Sequence, residues 1–167
     1  MPLRRPSDTR QKIKSAAVLQ RLLRQHRSRG RTIVFTNGCF DLLHAGHVAL
    51  LEGAKRLGDV LVVALNSDRS VRLLHKGPSR PIVPQRDRAR LLAAFASVDY
   101  VTVFNERTPQ RLVELLRPDV LVKGADWGTT RIVGAETVKA WGGRVVRVPL
   151  VKGYSTTKLV ARIKHAV

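Results

Sequence analysis

The stretch TIVFTNGCFDLLHAGH, residues 32–47, decides the fold class of this 167-residue chain. Its first five residues are all β-branched or aromatic, and Asn37-Gly38 then closes the run with a turn, which predicts a short strand at 32–36. A helical pattern follows at about 46–57, and the apolar run at 59–65 is typical of a strand covered on both faces. Strand, helix and strand in this order indicate a parallel α/β unit.

The same alternation continues to the end of the chain. Further strands are predicted at 100–104, 119–123 and 144–148, and helices at 68–74, 86–96, 108–116, 132–141 and 155–165. In the helix at 108–116, Thr108 is the expected cap and Pro109 the first residue. We therefore expect an α/β fold: a Rossmann-like open five-stranded parallel sheet with helices on both faces. Such sheets bind ligands at the carboxyl ends of their strands, where the strand order reverses.

The first 30 residues precede this pattern and are strongly basic. Residues 1–31 hold ten Lys and Arg residues against one acid, Asp8, and a helix is predicted at 7–26. We therefore expect a basic N-terminal helical extension at 1–30 and a core domain at 31–167. The extension could serve as a dimer contact, an anchor to an anionic surface or a linker, and the sequence does not rank these roles.

Composition limits the class of protein. At 44% hydrophobic residues the chain can bury a core, whereas its longest apolar run, residues 60–65, is too short to span a bilayer. A single cysteine, Cys39, excludes internal disulfides and cysteine-rich zinc sites. We expect a cytoplasmic protein without a membrane span. The net charge of +19 predicts attraction to polyanions or phosphorylated small molecules.

The turn after the first strand carries the chemistry. His44 and His47 lie three residues apart at the start of a predicted helix, so their side chains lie on neighbouring surface, where backbone N–H groups favour an anion. Gly38 allows a ligand to approach the backbone closely, and Gly46 leaves room for a phosphate. Two histidines with only Asp41 nearby form a poor zinc site. The pattern therefore predicts a phosphate site without a protein-bound metal.

The pattern Gly-Cys-Phe-Asp-x-x-His-x-Gly-His after a strand resembles the nucleotidyltransferase superfamily of the cytidylyltransferases. The longer string at 36–47 most closely resembles the D-glycero-β-D-manno-heptose 1-phosphate adenylyltransferases. This resemblance implies adenylyl transfer from ATP, with Mg²⁺, to a sugar 1-phosphate, giving an ADP-sugar and pyrophosphate by in-line attack on the α-phosphate. It implies ATP and a sugar phosphate as partners, and is compatible with a separate sugar kinase and phosphatase in the same pathway. A homodimer is the default expectation for a soluble oligomer.

Three further segments agree with the resemblance. The basic loop at 75–84 and the helix after it could close over a triphosphate. The segment at 120–127 departs mildly from the family's Lys-Gly-Gly-Asp-Tyr, through Ala125 and Trp127. The segment before the last helix, 149–153, lacks the Pro-Arg-Thr-Glu-Gly run of the glycerol-3-phosphate cytidylyltransferases, which argues against that branch.

The resemblance also implies roles for particular residues. The expected catalytic residues are His44, His47, Lys76 and Arg80. The expected nucleotide-binding residues are Thr36, Asn37, Gly38, Cys39, Phe40, Asp41, Gly46, Arg88, Lys123, Gly124, Asp126, Ser155, Thr156 and Thr157. Among these, Lys76, Arg80 and Arg88 would neutralise the triphosphate, and Lys123, Gly124 and Asp126 would line the base and ribose.

Two alternatives stay open. One is transfer to another phosphorylated acceptor, or the use of CTP. The other is a nucleic-acid-binding protein on the same core, which the net charge of +19 suggests. An aromatic content of 5% and the lack of an RNA-binding aromatic motif make nucleic acid the weaker expectation.

Overall fold

Five short strands form one parallel sheet in the computed structural model of the protein, which describes residues 8–75, 77, 79–124, 132–149 and 155–166. The strands are β1 (Ile33–Gly38), β2 (Val60–Asn66), β3 (Tyr100–Phe104), β4 (Val120–Gly124) and β5 (Arg144–Val148). Their order in the sheet is β3-β2-β1-β4-β5, and every neighbouring pair is parallel. The predicted open five-stranded parallel sheet is confirmed.

Helices cover both faces of this sheet. They are α1 (Ala16–Arg27), α2 (Ala45–Lys55), α3 (Asp68–Leu73), α4 (Gln85–Ala94), α5 (Gln110–Leu116), α6 (Ala135–Ala140) and α7 (Thr156–Ala166). All seven residues of β2 are buried, as expected for a strand covered on both sides. No helix within the described ranges is both long and apolar enough to cross a membrane.

Alternate residues of the strands build two apolar cores, one on each face. The first joins β1 and β2 to α2 and α4 and includes Val34, Leu50, Leu51, Leu61, Val63 and Leu92. The second joins the same strands to α1, α5 and α6 and includes Leu19, Leu23, Ile33, Phe35, Val62, Val113 and Val138. Helix α1 therefore contributes to the core, although it lies within the segment predicted as an extension.

The single helix predicted at 7–26 is divided in two. A 3-10 turn at Thr9–Lys12 precedes α1, because Ile13 forms a parallel bridge with Val101 at the edge of β3. The Lys14 N–H donates to the Val101 carbonyl at 2.9 Å, so the chain is extended here. The Ser15 hydroxyl then accepts from the Val18 N–H and caps α1.

Two further helices begin later than predicted. Helix α5 starts at Gln110, and its N-cap residue is Pro109 rather than Thr108. Helix α6 starts at Ala135, because Gly134 before it adopts a left-handed conformation, with φ of 86°, which a helix cannot include.

Three aspartates fix the strands at their amino ends. The Asp59 carboxylate accepts from the Thr32 N–H at 2.8 Å, and Asp99 accepts from the Leu61 N–H at 2.7 Å. Asp119, which precedes β4, accepts from the N–H of Ile33 in β1 at 2.7 Å. These charge-assisted hydrogen bonds fix the register of neighbouring strands, so that the carboxyl ends of β1 and β4 meet.

Candidate functional site

The main cleft of the protein opens where β1 and β4 end side by side. At this point the strand order reverses, since β2 and β4 lie on opposite sides of β1. The cleft has a volume of about 770 Å³. Of the residues predicted to form a site, it is lined by Thr36, Asn37, Gly38, Cys39, Phe40, Asp41, His44, Gly46, His47, Arg80, Lys123, Gly124, Ser155, Thr156 and Thr157. Open parallel sheets bind ligands at this position.

Two predicted site residues, Lys76 and Asp126, lie outside the described residues, as do Ala125 and Trp127. Their predicted roles stay predictions.

The turn after β1 is built around a buried aromatic ring. Phe40 is a non-glycine residue in the left-handed region, with φ of 44°, and its side chain is buried. A Cβ on Gly38 would lie 3.0 Å from this ring. The glycine therefore makes room for Phe40, and it also lines the cleft, so the predicted close approach of a ligand stays a prediction. The centroid of the Phe40 ring lies 5.2 Å from that of the His47 ring.

The two histidines are stacked at the start of α2. Their ring centroids lie 3.8 Å apart with 23° between the planes. His44 is the N-cap residue of α2, and its carbonyl accepts from the His47 N–H at 2.8 Å. Burial, and to a smaller extent the neighbouring His44, lowers the pKa of His47 to about 4. Burial also lowers the pKa of His44, so both imidazoles are neutral near pH 7.

The low pKa of His47 predicts a pH-dependent stability. Below about pH 6.5 the unfolded chain binds a proton at His47 that the folded chain excludes down to about pH 4, so the free energy of unfolding falls as the pH falls. Between pH 7 and 5 we expect this group to cost about 2 kcal/mol, and the variant His47→Gln to lack that part of the loss. Urea-induced unfolding of both proteins across this range measures it, and parallel pH profiles would contradict the assignment.

Several polar atoms in the cleft wall are buried. The Thr36 hydroxyl, the Asn37 side-chain oxygen and Nδ1 of His47 make no hydrogen bond with the described part of the chain. A buried polar group without a partner costs about 1–3 kcal/mol. Because all three residues line the cleft, a polar ligand bound there could satisfy these groups.

The Asp41 carboxylate holds a loop at the wall of the cleft. Its side chain is fully buried, and its oxygens accept hydrogen bonds from the N–H groups of Ile82 (2.8 Å) and Val83 (2.9 Å) and from Nε of Arg80. Arg80 is itself 12% exposed and lines the cleft. The predicted nucleotide contact through Asp41 stays a prediction, and in the structure this carboxylate places the Arg80 guanidinium at the cleft wall.

The structure corrects the prediction that Arg88 contacts the triphosphate. Its side chain is fully buried and does not line the cleft. Its guanidinium donates to the carbonyls of Cys39 (2.5 Å) and Asn66 (2.9 Å) and to the Asp68 carboxylate (2.7 Å). Arg88 therefore ties the turn after β1 to the end of β2.

Two other elements close the cleft. At the end of β4, Nζ of Lys123 donates to the Asn37 carbonyl at 3.0 Å, which joins the ends of β4 and β1 across the point where the order reverses. At the start of α7, the Thr156 hydroxyl donates to the Leu42 carbonyl at 3.3 Å. Ser155 and Thr157, the neighbours of Thr156, also line the cleft.

The sequence analysis missed several residues of the cleft. Asn66, the last residue of β2, lines it, as do Arg107 and Thr108 after β3. Arg107 and Thr108 are exposed, so they can contact a ligand. Asn66 ends a strand and the other two follow one, so the rule that ligands bind at strand ends could have identified them.

Comparison with known proteins places this cleft in a family. Residues 35–162 match the family described as cytidylyltransferase-like. The chain is 57% identical over 151 residues to the protein named "Bifunctional protein HldE" of Koribacter versatilis, covering 90% of this chain and 31% of that protein. It is 53% identical over 152 residues to the protein of the same name from Syntrophotalea carbinolica, with coverages of 91% and 31%. The chain thus spans about a third of the length of these relatives.

Two solved structures share the fold of this chain. The crystal structure of a lipopolysaccharide core biosynthesis protein from Thermoplasma volcanium is 29% identical, with a TM-score of 0.62, and the match covers 75% of this chain and 100% of that one. A pantoate-beta-alanine ligase from Francisella tularensis, 15% identical with a TM-score of 0.61 over 91% of this chain and 76% of that one, shares the fold. Since the family match extends over most of the chain and includes both histidines, the protein belongs to the cytidylyltransferase-like family and is a nucleotidyltransferase.

Proposed function

We propose that the protein transfers the adenylyl group of ATP to D-glycero-D-manno-heptose 1-phosphate, giving an ADP-sugar and pyrophosphate. The observation that carries this proposal is the pair of neutral, stacked imidazoles of His44 and His47 at the start of α2, inside the main cleft. The choice of ATP and heptose phosphate rests on the resemblance of residues 36–47 to heptose adenylyltransferases. The identity of 57% to a protein named HldE supports it.

The reaction needs little covalent chemistry from the protein. An oxygen of the sugar phosphate attacks the α-phosphorus in line, a new P–O bond forms, and the bond from this phosphorus to the bridging oxygen of pyrophosphate breaks. The attacking oxygen is already anionic, so no strong general base is needed. Catalysis then consists of positioning and of stabilising the charge on the α-phosphate oxygens.

The residues of the cleft suit these two tasks. A neutral imidazole can donate one hydrogen bond to a phosphate oxygen without itself releasing a proton, and His47 is fixed for this by Phe40 and His44. The Arg80 guanidinium, placed by Asp41, would neutralise the triphosphate. The hydroxyls at the start of α7, Ser155 to Thr157, would bind the β- and γ-phosphates together with the helix N-terminus.

Mg²⁺ would come with the nucleotide. Within the described ranges no group of three or more His, Cys, Asp or Glu residues could hold a metal ion. The Asp41 carboxylate is occupied by the Arg80 loop. Phosphate oxygens would therefore supply the ligands, and the ion would draw negative charge from the leaving pyrophosphate.

The setting of the reaction is also a proposal. We propose a cytoplasmic homodimer, whose sugar 1-phosphate is made by a separate sugar kinase and phosphatase. The relatives are named bifunctional and are about three times as long as this chain. In those relatives, two activities of such a pathway could therefore lie on one polypeptide.

A substrate panel tests the proposal. The protein is incubated with Mg²⁺, one of ATP, CTP, GTP or UTP, and one of heptose 1-phosphate, mannose 1-phosphate or glycerol 3-phosphate, and products are identified by mass spectrometry. We expect ADP-heptose from ATP and heptose 1-phosphate, with pyrophosphate in equal amount. A CDP-linked product, or transfer to glycerol 3-phosphate in preference to the heptose, would refute the assignment of substrates but retain the reaction class.

A further inference from the structure

A second cleft lies beside α4, at the β3 edge of the sheet. Its volume is about 330 Å³, and its walls come from the 3-10 turn, α4 and β3. Three arginines line it: Arg10, Arg86 and Arg90. None of its lining residues lines the main cleft, and Arg88, between Arg86 and Arg90 in sequence, is buried on the other side of α4.

The positive charge of the three arginines exceeds the negative charge close to the second cleft, which comes from Asp8 and from Asp87 in the first turn of α4. Arg86 and Arg90 are four residues apart on α4, so their guanidinium groups lie on one face and repel each other. Neither forms an ion pair within the described ranges, and no described Asp or Glu lines the cleft. Arg10, on the facing turn, pairs with the exposed Asp8 at 3.4 Å.

The position of Arg86 in α4 is a second source of electrostatic repulsion. It lies in the first turn of α4, at the positive end of the helix dipole, where a cation is unfavourable. A bound anion would relieve both the repulsion between the arginines and this interaction with the dipole.

The floor of the second cleft is apolar. Ile13, Ala89 and Val103 form it, and the small side chain of Ala89 leaves an open space between the two arginines of α4. An apolar floor can contact the carbon skeleton or the ring of a ligand. A guanidinium group can donate two parallel hydrogen bonds to two oxygens of one phosphate. The volume is near the lower end, about 300 Å³, of the range for small-molecule sites.

From these features we propose that the second cleft binds a small organic phosphate, with the phosphate held by Arg86, Arg90 and Arg10 and the carbon part against the apolar floor. This site is separate from the main cleft and is not needed for the proposed reaction. A nucleotide and a sugar phosphate share this chemistry, and the test distinguishes them.

Calorimetric titration at physiological ionic strength tests the proposal, with ADP and glucose 1-phosphate as probes. The variant R86Q/R90Q removes the two charges of α4 from exposed positions, and R21Q/R24Q removes two exposed charges from α1 as a matched control. For at least one probe, we expect R86Q/R90Q to bind one molecule fewer per chain than the wild-type protein and R21Q/R24Q do. The probe that shows this difference identifies the class of ligand.

Failure of this proposal differs from failure of the proposed function. If the main cleft binds no nucleotide, the wild-type chain still binds one equivalent that R86Q/R90Q lacks. Equal stoichiometry in the wild-type chain and R86Q/R90Q for both probes would overturn the second site. The same loss in R21Q/R24Q would overturn it too, because it would indicate general attraction to a basic surface.

Discussion

Replacing His47 with alanine is expected to lower kcat for nucleotidyl transfer by about 10²–10³-fold, the usual effect of removing one donor that stabilises a transition state. The ring is held between Phe40 and His44, and its pKa of about 4 keeps it neutral at working pH. Its hydrogen bond is worth most when charge develops on the α-phosphate oxygens. We therefore expect the affinity for ATP to change far less than kcat.

Two further variants make this expectation specific. His47→Asn keeps an N–H donor on a shorter side chain and should recover part of the lost rate. His26→Ala removes an imidazole from the C-terminal turn of α1, where it contacts the Tyr100 hydroxyl at 3.0 Å, and should leave kcat unchanged. Single-turnover rates, with circular dichroism to verify folding, measure the effect. A folded His47→Ala variant with normal turnover would exclude His47 from the chemistry.

The sequence is sufficient for the fold and for the centre of the site. Apolar runs such as residues 60–65 indicate buried strands through their composition alone, and their alternation with helices indicates a parallel sheet. His44 and His47 belong to one short segment, so their proximity follows from helical spacing. The position of Lys123 beside Asn37 follows from the rule for strand ends once β1 and β4 are neighbours.

The contacts that could not be predicted join segments far apart in sequence. Arg88 is the clearest example, because an arginine in a basic helix is ordinarily exposed. Its acceptors, Cys39, Asn66 and Asp68, come from separate elements of the fold. For the same reason the sequence did not show that Asp41 is occupied by the loop around Arg80. Asp41 and Arg80 are 39 residues apart in sequence, and only the folded chain brings them together.

The contact between Asp41 and Arg80 leads to the second large effect. The variant Asp41→Asn is expected to lower the free energy of unfolding by about 3–5 kcal/mol, the typical cost of leaving one member of a buried ion pair without its partner. The Asp41 side chain is fully buried and Arg80 is 12% exposed, so water can do little to compensate. For a domain of this size the melting temperature should fall by roughly 10 °C.

The same variant should also raise KM for ATP, because the amide NH2 group that replaces Oδ2 cannot accept from Arg80, although the remaining oxygen can still accept from the N–H groups of Ile82 and Val83. The double variant D41N/R80M removes both charges, and we expect it to regain much of the stability but none of the affinity for ATP, since the guanidinium is then missing. If the role of Asp41 were purely structural, the double variant would instead regain both the stability and the affinity for ATP.

Glu52→Gln, which removes an exposed pair with Arg56 at 3.9 Å, is the matched control and should change the free energy of unfolding by less than about 0.5 kcal/mol. Thermal unfolding and initial-rate kinetics on the four proteins decide the matter, and an Asp41→Asn variant with unchanged melting temperature and KM would contradict the assignment.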